Sequence, residues 1–316
     1  MNEKIALIDG DIIVYKVAYE KPKSPLADTR EVGDVPFSSE GVASSAEEHV
    51  ERSWEEVRQS VDEFMQHIRN ETGTTSYVGF LSANRTMNFR TGLSKEIVYK
   101  GNREDREVPR FFQEIKQYLI REYNFIKLTY IETDDALACI QTYYLGLKET
   151  NLFKETVICS IDKDMLQVEG RHWNWKSNDY TEVSHEVAYR RLWTQVLTGD
   201  TTDNILGCGS KEQLVYKSGS KKGEPYVARV GVGPKEAENI ISKFPISLLP
   251  IQVMVEFVNR FGLHKGINKF YEAFNLIFLL RAWPEFEEEI IPWEEALKTT
   301  DWFKVKEEEA EDENTF

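Results

Sequence analysis

Short β-branched apolar runs alternate with amphipathic stretches over the first half of the chain, at residues 5–8, 77–81, 125–131 and 157–161. This alternation predicts a parallel α/β sheet, because parallel strands need helical crossovers and are covered on both faces. Between the first two runs lies a polar, proline-containing stretch at 20–39, followed by a helix over about 44–69. Val50, Trp54, Val57, Val61, Phe64, Met65 and Ile68 recur there at helical spacing, the mark of a helix packed on a sheet. Beyond about residue 185 the strand signal fades, and 187–197, 237–241, 251–261 and 269–280 read as helices. The Gly-, Ser- and Lys-rich segment 208–229 predicts a flexible loop, and no internal repeat is evident. The chain therefore divides into an α/β part at 1–185, a mainly helical part at 186–304, and a disordered acidic tail at 305–316.

Acidic residues follow the predicted strands. The first run ends in Asp9, the third in Glu132-Thr133-Asp134-Asp135, and the fourth in Asp162-Lys163-Asp164. Ligands of open parallel sheets bind outside the carboxyl ends of the strands, so these groups converge on one crevice. Gly199-Asp200-Thr201-Thr202-Asp203-Asn204 adds Asp200 and Asp203, three residues apart. Eight carboxylates in one cleft cannot all stay ionised without cations. All-oxygen donors suit Mg²⁺ or Mn²⁺, and the five histidines lack the paired spacing of a zinc site. Each group also has an ordinary explanation. Asp134 and Asp135 suit a helix start, Asp162 and Asp164 suit a turn, and Asp11 suits a cap on the next helix. Acidic clusters at three strand ends together favour the metal reading.

Composition changes little until the charges are placed. The 316 residues are 41% apolar and 29% charged, which fits a globular chain with a sizeable core. Cys139, Cys159 and Cys208 form neither a disulfide framework nor a zinc pattern, and fit a reducing compartment. The opening Met1-Asn2-Glu3-Lys4 shows no signal-peptide pattern, and no apolar run approaches the ~18 residues of a membrane helix. These features predict a cytoplasmic protein without a membrane partner.

The formal charge of −15 argues at first against a nucleic-acid partner. Taking away the −5 of residues 306–313 and the eight candidate acids leaves only −2. Residues 85–127 hold ten Lys/Arg against six acids, and 210–235 hold six against two, each net +4. These are places where a phosphate backbone can bind. Val230-Gly231-Val232-Gly233-Pro234-Lys235 opens a helix whose first N–H groups and glycines suit a phosphate, with Lys221 and Lys222 nearby. Tyr99, Phe111, Phe112, Tyr118 and Tyr123 in the first stretch offer packing or base stacking. Trp173, Trp175, Trp283, Trp293, Trp302 and Phe303 read as core or as a docking surface.

Several stretches, in order, resemble the 5′-nuclease (flap endonuclease) superfamily, in particular its phage-type and polymerase-associated 5′→3′ exonucleases. They are Leu7-Ile8-Asp9-Gly10, Tyr99-Lys100-Gly101-Asn102-Arg103, Glu132-Thr133-Asp134-Asp135-Ala136, Asp162-Lys163-Asp164-Met165-Leu166, Gly199 to Ile205, and Val230 to Ala237. The resemblance covers residues 5 to about 240. It implies a PIN-like parallel-sheet nuclease core flanked by helices, with an arch at about 85–122. A helix-hairpin-helix-type (helix-three-turn-helix) DNA-binding element would lie in the helical part. It implies two Mg²⁺ or Mn²⁺ ions, with Asp9, Glu132 and Asp134 on the first. Asp162, Asp164, Asp200 and Asp203 would serve the second, and Asp135 either. Lys100 and Arg103 match the family's phosphate-contacting basic pair, with Arg90 in the same wall, and K⁺ is implied at the hairpin near Gly231 and Gly233.

Two departures stand out. The family usually has an acid after its second core strand, where this chain has Ser82-Ala83-Asn84, and 208–229 is an insertion. A neutral oxygen of Ser82 or Asn84, or a water, could stand in for the missing acid.

The expected activity is metal-dependent, structure-selective hydrolysis of DNA near 5′ ends, flaps or nicks, leaving 5′-phosphates. RNA in RNA·DNA hybrids is a further substrate, and replication or primer removal in a phage or bacterial setting is the expected role of a monomer. Two rivals are a PIN-type ribonuclease and a non-catalytic DNA-structure-binding protein with a compromised metal site.

Overall fold

The computed structural model describes residues 3–20, 52–82, 84–103, 107–285, 287 and 300. Strands β1 (Lys4–Asp9), β2 (Ser76–Leu81), β3 (Ile126–Lys127), β4 (Glu155–Cys159), β5 (Gly170–Asn174) and β6 (Asp179–Val183) form one sheet in the order β3-β2-β1-β4-β5-β6. All pairings are parallel except β5 with β6. Central β1 explains its unbroken apolar run. Ala6 and Ile8 join one core with helices α1 (Gly10–Ala18), α2 (Trp54–Thr72) and α4 (Phe112–Tyr123), whereas Ile5 and Leu7 join another with α5 (Thr133–Gly146). Both faces are thus covered, as parallel sheets require. A short helix, α3 (Phe89–Leu93), precedes α4 in the region expected to form an arch.

A third core holds the helical part, α6 (His185–Thr198), α7 (Pro234–Ile241), α8 (Leu249–Phe261) and α9 (Leu263–Ile277). Tyr99 and Leu93 pack into it, so the segment at 93–99 is fastened to the C-terminal helices. At its other end α4 buries Ile115 and Leu119 beneath α1 and α2.

Four sequence readings are corrected. The run 125–131 gives only a two-residue strand, because Glu287 takes the N–H groups of Thr129, Tyr130 and Ile131 at 2.5, 2.7 and 3.1 Å. The helix read at 44–69 starts, within the described residues, at Trp54, where a Ser53–Glu56 capping box fixes it. The helix read at 269–280 spans Leu263–Ile277. The segment 208–229 is ordered as an antiparallel hairpin, β7 (Gly209–Val215) with β8 (Pro225–Gly231).

Strands β5 and β6 escape the sequence pattern because β6 is an edge exposed at four of its five positions. Trp173 is fully buried, and Trp175 and Trp283 pack against core clusters. Trp293, Trp302, Phe303, the tail 305–316, the stretch 21–39 and the helix start 44–51 lie outside the described residues. Among the described residues no single helix is long and apolar enough to cross a membrane.

Candidate active site

The expected carboxylates gather at the carboxyl edge of the sheet because each lies where a strand or helix ends. Asp9 closes β1 and caps α1, accepting from Ile12 N at 3.3 Å and from Ser160 Oγ at 3.0 Å. The cap is therefore Asp9 and not Asp11. Asp11 instead accepts from Ser82 N (2.9 Å) and Thr133 Oγ1 (3.0 Å), with Lys116 Nζ at 3.3 Å. This ties the ends of β1 and β2 to the start of α5. Ser82 Oγ, one stand-in for the missing acid, is engaged with Thr133 Oγ1 at 3.2 Å and Thr133 N at 2.9 Å.

The eight expected acids divide into three groups. Asp135 is fully buried and grips Arg90 through both oxygens, at 2.5 and 2.7 Å, while also accepting from Leu280 N at 3.0 Å. Arg90, 1% exposed, also donates to Leu276 O and Phe278 O. Arg90 and Asp135, read as phosphate contact and metal ligand, form instead a buried bidentate pair joining α3, α5 and the segment after α9.

Glu132 and Asp203 form the second group, already matched by cations. Lys100 bonds Glu132, and Arg103 bonds Asp203. Tyr99 donates to Glu132 (2.6 Å) and Asp203 (3.1 Å). Burial works to raise Glu132, yet the Lys100 and Arg90 charges outweigh it and hold that carboxyl at about 2. Lys100 is raised above its ordinary value: burial opposes its charge, but Glu132 and Asp203 outweigh burial. Its backbone is left-handed, φ 54°, with its N–H held by Asp203 O at 2.9 Å.

Asp9, Asp134, Asp162, Asp164 and Asp200 form the third group, and among the described residues no ion pair neutralises them. Burial first, then the Asp11 and Asp162 charges, pushes Asp9 up to about 7. Burial, Asp162 and Asp200 do the same to Asp164, also to about 7. Asp134 is raised well above the usual carboxylate range by burial, Asp162 and Asp9. Asp200 braces the turn, accepting from Thr202 N at 2.6 Å and Asp203 N at 3.1 Å. Glu132, Asp134, Asp164, Asp200 and Asp203 line one cleft.

Two further side chains shape the site. Tyr99, read from the sequence as a packing or stacking aromatic, is 3% exposed and bridges two carboxylates, so it does not stack on bases. Gln195 sits inside a regular helix and gave no signal. Its Nε2 donates to Asp164 Oδ1 at 2.7 Å, and its buried Oε1 has no hydrogen-bond partner.

The turn at Gly231–Gly233 has a structural reason for one glycine. A Cβ on Gly231 would stand 2.5 Å from Gly209 Cα and 2.7 Å from Cys208 O, so the ribbon closes only with glycine there. Gly233 has open space around it, and Lys235, Lys221 and Lys222 are exposed.

As the side chains stand, no group of three or more His, Cys, Asp or Glu among the described residues is arranged to hold a metal ion. The donor chemistry nevertheless fits a hard divalent cation. Mutually repelling carboxylates beside the orphaned Gln195 oxygen are all oxygen donors lacking a counter-charge. No protein-family model matches the chain, and no curated protein matches it.

Proposed function

We propose that the protein is a divalent-metal-dependent 5′ nuclease that hydrolyses phosphodiesters of DNA, including RNA·DNA hybrids, near 5′ ends, flaps or nicks. One observation carries the reading. Carboxylates from β1, α5, the turn after β4 and the turn after α6 meet without counter-ions beside two basic side chains, Lys100 and Arg103. Asp9, Asp134, Asp162 and Asp164 are the residues that would hold Mg²⁺ or Mn²⁺, with Asp200 and the Gln195 oxygen beside them. When bound, such ions supply activation of a water and stabilisation of the leaving oxygen.

The chain's own groups supply the rest. Lys100 and Arg103 are the cations able to balance charge building on a phosphate at the transition state. Tyr99 fixes Glu132 and Asp203, the two acids on which that basic pair rests. Gln195 fixes Asp164 by direct donation. Arg90 and Asp135 hold the basic segment to the helix carrying Glu132 and Asp134, and take no part in chemistry. The turn at Gly233 and Lys235, beside a K⁺ site, serves as part of a helix-hairpin-helix-type contact to the duplex backbone, which positions without reading sequence.

The test is cleavage of a 5′-labelled flap duplex with Mg²⁺ or Mn²⁺. Asp162→Ala and Asp9→Ala should abolish cleavage while duplex binding stays within about threefold. Cleavage by either variant at the wild-type rate would refute the site. A second reading, DNA binding without hydrolysis, is favoured by the Ser82 hydroxyl standing engaged where the family has an acid. Duplex binding with no turnover at saturating Mn²⁺ would select it.

A further inference from the structure

The hairpin β7–β8 stands out because it carries a net positive charge in an acidic chain. Residues 209–231 hold Lys211, Lys217, Lys221, Lys222 and Arg229 against Glu212 and Glu224, net +3 in a chain of −15. Lys100, Arg103, Arg90 and Lys116 all rest on carboxylates. Among the described residues no ion pair engages the five ribbon cations.

The pairing register fixes which side chains share a face. Lys211 faces Arg229, Gln213 faces Val227, and Val215 faces Pro225, all on one side. That side is open: Lys211, Gln213, Val215 and Val227 are exposed and Arg229 is half-buried. The other side carries Leu214 opposite Tyr226, with Tyr216 against Tyr226 at 4.3 Å between ring centroids. The aromatic pair stiffens the outer end, next to the turn bearing Lys217, Lys221 and Lys222.

The ribbon also begins at the acid cleft. Arg229, near its base, feels the Asp200 charge, and Lys211 Nζ lies 3.5 Å from Asn204 Oδ1 in the turn that presents Asp203. Seven residues at ~3.3 Å each extend roughly 20 Å, the length of about six base steps.

Resting on the nuclease reading above, we propose that β7–β8 is a backbone-tracking arm: its open face and outer lysines lie along the phosphates of the duplex flanking the cleavage site. The partner is double-stranded nucleic acid, bound by charge and not by base sequence. The segment that the sequence suggested was a loose loop is thus a determinant of duplex preference.

The experiment measures duplex affinity from 50 to 300 mM KCl for three proteins. They are wild type, K217E/K221E/K222E, and a chain in which residues 213–227 are replaced by Asn-Gly to join Glu212 to Ala228 in a two-residue turn. Unchanged thermal melting confirms that each variant is folded. The charge-reversed and shortened proteins should each bind at least tenfold more weakly at 100 mM salt. Their slopes of log affinity on log salt should be shallower by about two to three, the release expected for three phosphates.

Wild-type affinity and slope in the folded variants would overturn the arm. Absence of duplex binding by wild type would overturn both arm and nuclease reading. Weakened variants beside a wild type that binds but never cleaves would support the arm and refute hydrolysis alone.

Discussion

The Asp162 charge raises three neighbouring carboxyls, Asp9, Asp134 and Asp164, together. Asp162→Asn should therefore remove cleavage and yet raise the melting temperature of EDTA-treated protein at pH 8. The rise should be roughly 2–4 °C, the effect of about 1 kcal/mol in a large domain. Scanning calorimetry checks it, and a lowered melting temperature would mean that the carboxylates do not repel. The pH dependence has a definite sign. Asp9 and Asp164 titrate near 7 when folded and near ~3.9 when unfolded, so the folded protein binds more protons between these values. Metal-free protein should lose stability as pH rises from about 4 to 8, and Mn²⁺ should flatten that decline. Glu132, held at about 2, has the opposite sign, and its contribution is lost only as pH falls from about 4.5 toward 2. Arg90→Ala should cost about 3–5 kcal/mol in urea unfolding by stranding Asp135, with Arg90→Lys failing to restore it. The sequence placed the acids at the strand ends, but not their counter-ions. Asp134 and Asp135 are neighbours of one residue type, and only packing against Arg90 separates their fates.

At the scale of elements, the two glycines of the turn have separable duties. Gly231→Ala should destabilise by about 1–3 kcal/mol, because its Cβ meets the Gly209 and Cys208 backbone. Gly233→Ala should leave stability unchanged, since nothing lies within 4 Å of its Cβ, while weakening duplex binding if a phosphate approaches there. Urea titration and duplex affinity of the two variants separate these effects, and equal loss of stability would contradict the division. Strands β1, β2 and β4 were legible because burial on both faces demands continuous apolar residues. Strand β3 was overestimated because a distant carboxylate, Glu287, takes the N–H groups of the residues that follow it, Thr129 to Ile131. The β7–β8 ribbon was missed because β7 is exposed at four of seven positions and β8 has no buried position, so the Lys, Ser and Gly of its turn outweighed a weak alternation.

Over the whole molecule, net charge and charge placement give opposite answers. A chain of −15 repels nucleic acid on average, yet its acids concentrate at a cleft and in residues 306–313, and a +3 ribbon rises beside that cleft. Binding should be steep in salt and set by local cations, not by the total. The run of helices beyond residue 185 was legible from the fading strand signal, although the β7–β8 ribbon interrupts it. The fastening of the 85–103 segment to α9 was not, because it depends on a buried guanidinium reaching Leu276 and Phe278 carbonyls across the chain. The most direct measurement is product mapping on 5′-labelled flap, nicked and RNA·DNA hybrid duplexes with Mg²⁺. Wild type should release short 5′-end fragments and leave 5′-phosphates on the retained strand, and Asp162→Ala should release none. Intact substrate with wild-type protein at saturating Mg²⁺ and Mn²⁺, or equal cleavage by Asp162→Ala, would contradict a metal-dependent nuclease built on this carboxylate cluster.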